Sequence, residues 1–231
     1  MEQLPSKHVY DLIRHSIENG LYPYGSPIPS ERTLADQYMV SRTTLRKAIN
    51  LLVDQGLLYR IQGKGTFVSL PRLNASNAVT STKKYLEDHN LTPTTVVFYT
   101  GIREAGYKYG NIFQIPEDAS VYQLFRQRCG DGIPYSIEYT YLPLYAVPNI
   151  ESYDFSHDSL YQCFRDNHLE ITHTHQTLDL VTISKPQSTL LGLSPGASAF
   201  MRKNSVYDYS NRVIEYTLSY SVAEKYIFEI S

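Results

Sequence analysis

The sequence predicts an α+β protein of two domains, in which an N-terminal winged helix precedes a larger domain built on an antiparallel sheet. The chain has 231 residues, which exceeds the usual size of one small domain. Apolar residues recur at helical spacing before residue 56 and at strand spacing after residue 94. A stretch containing Pro, Ser and Asn separates the two patterns. The expected domains are residues 1–69 and 78–231, joined by a linker at 70–77.

The composition is that of an ordinary globular protein, with 42% hydrophobic and 19% charged residues. The N-terminus has no basic segment followed by an apolar one, and no apolar run approaches the ~20 residues of a membrane helix. We therefore expect a cytoplasmic protein without a membrane partner. Cys129 and Cys163 have no partners at metal-ligand spacing, which favours reduced core cysteines and no cofactor.

The net charge of −2 is unevenly distributed. Residues 1–70 contain eight basic and six acidic residues, and the remainder contains thirteen and seventeen. This asymmetry is compatible with nucleic-acid binding by the first part, but it is too small to establish it.

Two helices are predicted before residue 40. The first follows Pro5 and stops at Gly20, which takes a left-handed cap; its apolar stripe consists of Val9, Leu12, Ile13 and Ile17. Three prolines between residues 22 and 29 prevent its continuation. The second begins at Ser30, a favourable N-cap; its buried side is expected to consist of Leu34, Ala35 and Tyr38.

A third helix is predicted from Ser41, another N-cap, to a stop at Gly56. Its apolar face consists of Leu45, Ala48, Ile49 and Leu52. The opposite face carries Arg42 and Arg46, four residues apart, with Thr43, Thr44 and Lys47 beside them. Such side chains at the N-terminal end of a recognition helix suit the base edges and phosphates of DNA.

Residues 57–61 and 66–68 are predicted to pair as a hairpin around a tight turn at 62–65. Three helices and a hairpin constitute a winged helix. Taken alone, Arg42, Arg46 and Lys64 are more typical of a solvated charged face. Two capped helices joined by a short turn, a basic face on the second one and a Gly-Lys-Gly hairpin tip together favour DNA binding.

This first part resembles the GntR family of bacterial regulators, in the segments Ile28-Pro-Ser-Glu-Arg-Thr-Leu-Ala35, Val40-Ser-Arg-Thr-Thr-Leu-Arg-Lys-Ala48 and Gln62-Gly-Lys-Gly-Thr-Phe-Val68. The resemblance implies that Arg32 holds the phosphate backbone, that the recognition helix reads the major groove, and that the hairpin tip reaches the minor groove or its phosphates. Glycines there would let the backbone approach DNA closely. The predicted DNA-binding residues are Arg32, Ser41, Arg42, Thr43, Thr44, Arg46, Lys64 and Gly65.

In the second domain, segments rich in Tyr, Val, Ile and Thr predict strands at 94–103, 120–130, 134–143, 172–183, 197–208 and 212–222. Helices fit near 81–90 and at 105–113, 158–167 and 185–191. Asp131-Gly132 and residues 208–211 have hairpin composition, which indicates a largely antiparallel sheet.

Arg126 and Arg128 are alternate residues of one predicted strand and therefore project from the same face of the sheet. A three-residue loop at 131–133 would place Arg126 opposite Glu138 and Arg128 opposite Ser136. A two-residue loop would place Arg126 opposite Ile137 instead. The register therefore decides whether a cation–carboxylate site exists, and solvent exposure of both arginines is the alternative.

The second domain resembles the ligand-binding UTRA domain of the HutC subfamily of GntR regulators, which is related in fold to chorismate lyase. The matching segments are Ser81 to Pro93, Leu124 to Pro134 with Glu138, Ser159-Leu-Tyr161, and Val213-Ile-Glu-Tyr216. Two positions depart from the family pattern: Ser81-Thr82 replaces a frequent Ser-Phe, and Asn90 replaces a frequent Gly. The resemblance implies that the effector-binding residues are Ser81, Thr82, Arg126, Arg128, Glu138, Ser159, Tyr161 and Glu215.

The implied site suits a phosphorylated sugar. A helix N-terminus and bidentate arginines bind phosphate or carboxylate, and Glu138 and Glu215 would accept hydrogen bonds from sugar hydroxyls or an amine. The alternatives are rim salt bridges for the two glutamates and simple core packing for Tyr161 and Tyr216.

Other functions remain possible on the sequence alone. The lyase-like fold permits an enzyme acting on a small carboxylate or phosphate ligand. The sequence has no nucleophile–base pair or Gly-rich phosphate loop, so we do not expect an enzyme. A protein-interaction module would leave Arg42 and Arg46 without a role. His173 and His175, with His168 nearby, suggest a metal site, but no Cys or acidic cluster supplies further ligands, and no metal is predicted.

The sequence is thus interpreted as a homodimeric transcription regulator that binds an inverted repeat in double-stranded DNA through its winged helices. Dimer contacts are expected mainly between the second domains. Binding of a small anionic metabolite would shift the dimer away from the geometry that fits both half-sites and so relieve repression.

Overall fold

The computed structural model describes residues 6–69, 73–74, 82–88 and 90–227. The chain divides into two compact units, residues 1–72 and 73–231. No helix in the described part of the chain has both the length and the apolar character needed to cross a bilayer.

The first unit consists of three helices followed by a hairpin. The helices are α1 (Ser6–Glu18), α2 (Glu31–Gln37) and α3 (Arg42–Asp54), and the antiparallel strands are β1 (Leu58–Ile61) and β2 (Gly65–Val68). The three helices share one apolar core, to which the predicted faces of α1 and α3 contribute. An additional bridge between Pro27 and Phe67 ties the segment after α1 to the hairpin. The predicted winged helix is therefore confirmed.

Local capping determines where these helices begin and end. The Ser30 hydroxyl accepts a hydrogen bond from the Thr33 N–H at 3.2 Å, and the Ser41 hydroxyl accepts one from the Thr44 N–H at 3.1 Å. Each bond satisfies one of the free N–H groups of a first helical turn. Tyr38 differs from the expectation: it is the C-cap of α2 and packs at the edge of the core, where it is only half-buried.

The second unit is organised around one antiparallel sheet. Its six long strands are β4 (Pro93–Glu104), β5 (Ser120–Gly130), β6 (Ile133–Pro143), β7 (Ile171–Thr182), β8 (Ser198–Asp208) and β9 (Val213–Val222). The spatial order is β4-β5-β6-β9-β8-β7, with every neighbouring pair antiparallel. The helices are α4 (Thr82–Asp88), α5 (Gly106–Phe113), α6 (Leu160–Asp166) and α7 (Lys185–Leu191). The predicted α+β class is confirmed.

The two faces of the sheet carry different layers. On one face, α6 packs Cys163 and Phe164 against Tyr122 and Leu124 of β5. On the other face, α5 packs over Val121 and α7 covers a further cluster. Successive residues of a strand point to opposite faces, which is why Val121 and Tyr122 belong to different clusters. Both cysteines are buried and free.

The β5–β6 turn contains only two residues, Asp131 and Gly132, with φ of 49° and 77°, as a type I′ hairpin turn requires. Cys129 nevertheless pairs with Pro134, whereas Arg128 pairs with Ser136, because one extra residue is accommodated between them as a bulge. Arg126 therefore lies opposite Glu138. The expectation that a two-residue loop places Arg126 opposite Ile137 is wrong, since the bulge shifts the register back by one.

A short parallel pair was not predicted. Strand β3 (Leu73–Asn74) pairs with β10 (Tyr226–Ile227), although residues 73–74 lie inside the predicted linker. Two 3₁₀ helices, Ile150–Ser152 and Ala223–Lys225, complete the described elements. The two-residue strands have no periodic pattern of their own, so only the tertiary structure reveals them.

Adjacent leucines of α3 provide a test of the first unit's core. Leu52 is fully buried, whereas Leu51 is 43% exposed. Replacement of Leu52 by Ala is expected to lower the free energy of unfolding by about 2–5 kcal/mol, because it leaves a cavity between the helices. Leu51→Ala, the matched control, should change it by less than about 0.5 kcal/mol. Urea denaturation of both variants measures the difference, and equal effects would contradict the packing described.

Candidate DNA-binding surface and effector pocket

Packing of α3 exposes its basic side. Its apolar residues are buried against α1 and α2, so the side facing away from that core lies in solvent. The exposed residues there include Arg42, Thr43, Arg46 and Lys47. The hydroxyls of Ser41 and Thr44 bond to each other at 2.8 Å as part of the helix cap. They hold the first turn of α3 in place; Arg42 projects from this turn and Arg46 from the next one.

Arg46 is part of an ion-pair network. Its Nε and Nη2 donate to Glu31 Oε2 at 3.1 and 3.0 Å. Arg60 of β1 lies 3.6 Å from the other oxygen of Glu31 and donates to Asn50 Oδ1 at 2.8 Å. The network connects α2, α3 and the hairpin at an exposed surface. Such exposed pairs contribute only about 0–1 kcal/mol, so a phosphate or a guanine edge can compete with Glu31 for Arg46.

The hairpin tip is open. Lys64 and Gly65 are exposed, as is Arg32 at the start of α2. Gly63 and Gly65 have φ of 75° and 119°, and no atom lies within 4 Å of a Cβ built on either residue. In the described part of the chain, the space beside these two glycines is therefore open, and the backbone there can approach another molecule closely. Arg60 was missed by the sequence analysis; its place at an exposed position of β1 was the available signal.

The second unit contains an open pocket of about 680 Å³, including space open to solvent, beneath the start of α6. The structure brings to this pocket seven of the predicted effector residues, namely Thr82, Arg126, Arg128, Glu138, Ser159, Tyr161 and Glu215. Ser81 lies outside the described residues. The pocket also contains residues that the sequence analysis did not name: Leu160, Gln176, Arg202, Asn204 and Thr217.

One carboxylate oxygen in this pocket is shared by two arginines. Glu138 Oε2 accepts from Arg126 Nε at 2.7 Å and from Arg128 Nε at 3.2 Å. Arg128 Nη1 also donates to Thr95 Oγ1 at 2.7 Å. Burial by itself raises the pKa of Glu138, but the two guanidinium charges outweigh it and hold that pKa at about 2. The ionised pair therefore stabilises the fold above the ordinary carboxyl pKa and loses this contribution as pH falls toward 2.

The carboxylate of Glu138 does not use all the hydrogen-bond donors of Arg126 and Arg128. Burial, together with the neighbouring Arg126 charge, lowers the pKa of Arg128 to about 10, so it stays protonated at neutral pH. Arg126 is 6% exposed, and its buried Nη1 has no hydrogen-bond partner among the described residues. A buried, unpaired guanidinium N–H is costly. An acceptor from a bound molecule would remove that cost.

The glutamate on β9 has a different environment. Burial raises the pKa of Glu215, and the Glu215 carboxylate, together with burial, raises the pKa of Tyr161 on α6. Thr217 Oγ1 donates to Glu215 Oε1 at 2.6 Å, but the buried Oε2 has no partner in the described part of the chain. Glu215 therefore presents a free oxygen to the pocket.

His168, His173 and His175 were considered as metal ligands from the sequence. His173 stacks on Tyr207 with ring centroids 4.4 Å apart. Among the described residues, no group of three or more His, Cys, Asp or Glu side chains has the geometry to hold a metal ion.

Comparison with known proteins agrees with this architecture. Residues 5–68 match the family described as bacterial regulatory proteins, gntR family, and residues 88–227 match the UTRA domain. The chain is 27% identical to the HTH-type transcriptional repressor NagR of Bacillus subtilis, over 95% of this chain and 91% of that one. It is 30% identical to the probable fructoselysine utilization operon transcriptional repressor of Escherichia coli O157:H7, over 86% and 82% of the two chains.

A solved structure shares the fold over nearly the whole length. PhnF from Mycobacterium smegmatis superimposes with a TM-score of 0.80 at 24% identity, over 96% of this chain and 97% of that one. The chain therefore belongs to the GntR family of bacterial regulatory proteins, carries a UTRA domain as its second unit, and is a DNA-binding transcription regulator that responds to a small molecule.

Proposed function

We propose that the protein represses transcription as a homodimer bound to an inverted repeat, and that a phosphorylated sugar in the second domain releases it. We assign the winged helix to residues 1–69, the linker to 70–77 and the effector domain to 78–231. The unpartnered, buried Arg126 Nη1 in the pocket is the observation that carries the effector assignment. The names of two relatives, a repressor NagR and a probable repressor of fructoselysine utilization, support repression.

In the proposed complex, the N-terminal half of α3 enters the major groove. Arg42 and Arg46 reach base edges, because a guanidinium can bond two acceptors of guanine at once. Thr43 lies beside them, and Ser41 and Thr44 position the first turn through their cap. At the flanks, Arg32 and Lys64 contact phosphates, and Gly65 lets the hairpin tip approach the minor groove. Glu31 pairs with Arg46 until DNA replaces it.

Replacement of Arg42 by Ala is expected to weaken operator binding by about 1–3 kcal/mol, the contribution of one bidentate base contact. Fluorescence anisotropy with operator and scrambled duplexes at fixed salt measures the change. Arg14→Ala is the matched control, since Arg14 is an exposed arginine of α1 paired with Glu18 at 2.7 Å. Unchanged operator affinity in Arg42→Ala, or an equal loss in both variants, would exclude Arg42 from the interface.

The effector pocket has the chemistry of an anion site joined to a polar site. Arg126 and Arg128 supply two guanidinium groups, of which Glu138 neutralises one charge. Ser159 and Thr82 add hydroxyls at the rim. Phosphate oxygens fit the remaining donors, and the free oxygen of Glu215 is placed to accept from a sugar hydroxyl.

A route from the pocket to the linker follows the chain. Glu215 and Thr217 lie on β9, which continues through residues 223–225 into β10. Strand β10 is bonded to β3, and β3 belongs to the segment assigned as the linker. A displacement of β9 on effector binding would therefore be passed to the linker through backbone hydrogen bonds. We propose that this continuous backbone connection couples effector binding to the release of DNA.

The double variant Arg126→Gln/Glu138→Gln tests the effector role while keeping the net charge of the cluster unchanged, and Arg128 keeps its hydrogen bond to Thr95. We expect it to bind operator DNA as the wild type does but to be released at least about tenfold less readily by sugar phosphates, since a charge-assisted hydrogen bond contributes about 1.5–3 kcal/mol. Lys203→Gln, an exposed charge paired with Asp179 at 3.7 Å, is the control. If sugar phosphates release the double variant from DNA as readily as the wild type, Arg126 does not belong to the effector site.

The homodimer is supported by an aromatic patch on the sheet face opposite the pocket. The ring of Phe98 is tilted against Phe125 at 5.0 Å, Phe125 stacks on Tyr139 at 4.3 Å, and Tyr139 meets Tyr220 edge-on at 6.3 Å between centroids. Phe125, Tyr139 and Tyr220 are only half-buried, and Phe98 is 42% exposed. Contiguous exposed apolar patches of this kind mark interaction sites, and a two-fold axis lets the same patch cover itself.

Phe98→Glu places a charge on this patch at an edge strand, where the monomer tolerates it. We expect the dimer to dissociate into monomers at micromolar concentration, because association would bury an unpaired carboxylate. Analytical ultracentrifugation across a concentration series measures this. The control is Tyr209→Glu, which charges a 77% exposed aromatic in the β8–β9 turn. A dimer of wild-type stability in Phe98→Glu would locate the interface elsewhere.

A further inference from the structure

The far end of the effector pocket, away from Arg126 and Arg128, is rich in hydrogen-bond donors. Gln176 of β7, with Arg202 and Asn204 of β8, lines it. An arginine and two side-chain amides offer up to nine N–H groups among them. The positive charge of Arg202 also acts on the two carboxylates of the pocket, Glu138 and Glu215, which lie on β6 and β9. Such a wall is suited to a ligand group that only accepts hydrogen bonds.

Arg202 is separate from the Arg126–Glu138–Arg128 cluster. Across the sheet, Arg126 lies opposite Glu138, Glu138 opposite Ser219, and Ser219 opposite Arg202. Neighbouring strands are about 4.8 Å apart, so the backbones of Arg126 and Arg202 are about 14 Å apart. One phosphate group is too small to be held closely by both ends unless the side chains bend fully toward each other. The row of four residues across the sheet, Arg126, Glu138, Ser219 and Arg202, therefore has a cation at each end.

Part of the floor between the two ends is already satisfied. Thr140 and Thr217 bond to each other at 2.9 Å, and Thr217 donates onward to Glu215. The buried Ser219 Oγ and Glu215 Oε2, which lie between the ends, have no partner among the described residues and remain available to ligand hydroxyls. At the far end, Asn204 is 8% exposed and its buried Oδ1 has no partner among the described residues, so this oxygen can accept from a ligand hydroxyl while the amide N–H groups of Asn204 can donate to an anion. Arg202 makes no side-chain hydrogen bond or ion pair within the part of the chain that the structure describes.

We infer that the effector has a second anionic group, a carboxylate, which is bound by Arg202 together with the amides of Asn204 and Gln176. This inference rests on the proposed function, in which the first anion is a phosphate at Arg126 and Arg128. The effector is then a phosphorylated sugar acid. A planar carboxylate matches the fork of one arginine, whereas a second dianionic phosphate would leave an excess of negative charge against Arg202 alone.

Matched ligand pairs test the inference by isothermal titration calorimetry. Each pair consists of a sugar phosphate and the acid obtained by oxidising its aldehyde end, such as glucose 6-phosphate with 6-phosphogluconate and glyceraldehyde 3-phosphate with 3-phosphoglycerate. In the wild type we expect at least one acid to bind about tenfold or more tightly than its partner, the gain from one charge-assisted contact. In Arg202→Gln this preference should fall to within about twofold, with the affinity for the sugar phosphate unchanged.

Lys203→Gln is the matched control, because it removes the same charge one residue away on the opposite face of β8. It should keep the preference. The inference is overturned if no acid binds more tightly than its partner, or if Arg202→Gln weakens both members of a pair equally. If Arg126→Gln/Glu138→Gln abolishes sugar phosphate binding, the proposed function is supported whether or not the inference about Arg202 holds. If the double variant binds sugar phosphates as the wild type does, the proposed phosphate site is wrong.

Discussion

The buried carboxylate of Glu138, shared by Arg126 and Arg128, is the interaction on which the second domain's chemistry depends. An isolated charge on this face of the sheet would be expensive to bury. The two guanidinium groups keep Glu138 ionised, and Glu138 in turn holds both arginines beneath α6 at 2.7 and 3.2 Å. The pocket is thus preorganised, and one N–H of Arg126 remains available within it.

A comparable arrangement exists on the winged helix, but at a solvated surface. Glu31 connects Arg46 of α3 with Arg60 of β1, so helix and hairpin are oriented together. In water the network is weak enough to be exchanged for DNA phosphates. The two clusters differ in burial: the exposed ion pairs are weak and exchangeable, whereas the buried cluster holds its charged groups in place.

Much of the architecture was predictable because it follows from local rules. The caps at Ser30 and Ser41, the stop at Gly20 and the strand alternation all depend on neighbouring residues, and the six long strands begin and end within one or two residues of their predicted limits. The β5–β6 register was not predictable, since the bulge before Cys129 compensates for a turn of two residues. The β3–β10 pair was missed because a strand of two residues is too short to show an alternation of apolar and polar side chains.

The sequence by itself determined the winged helix, the basic face of α3 and most of the residues that surround the pocket, because these follow from capping, periodicity and family motifs. Only the tertiary structure decided that Arg126 meets Glu138, and that Gln176, Arg202 and Asn204 complete the site. The physical reason is the strand order: β9 lies between β6 and β8. This brings residues more than 60 positions apart in the chain onto one face, and no local pattern records that arrangement.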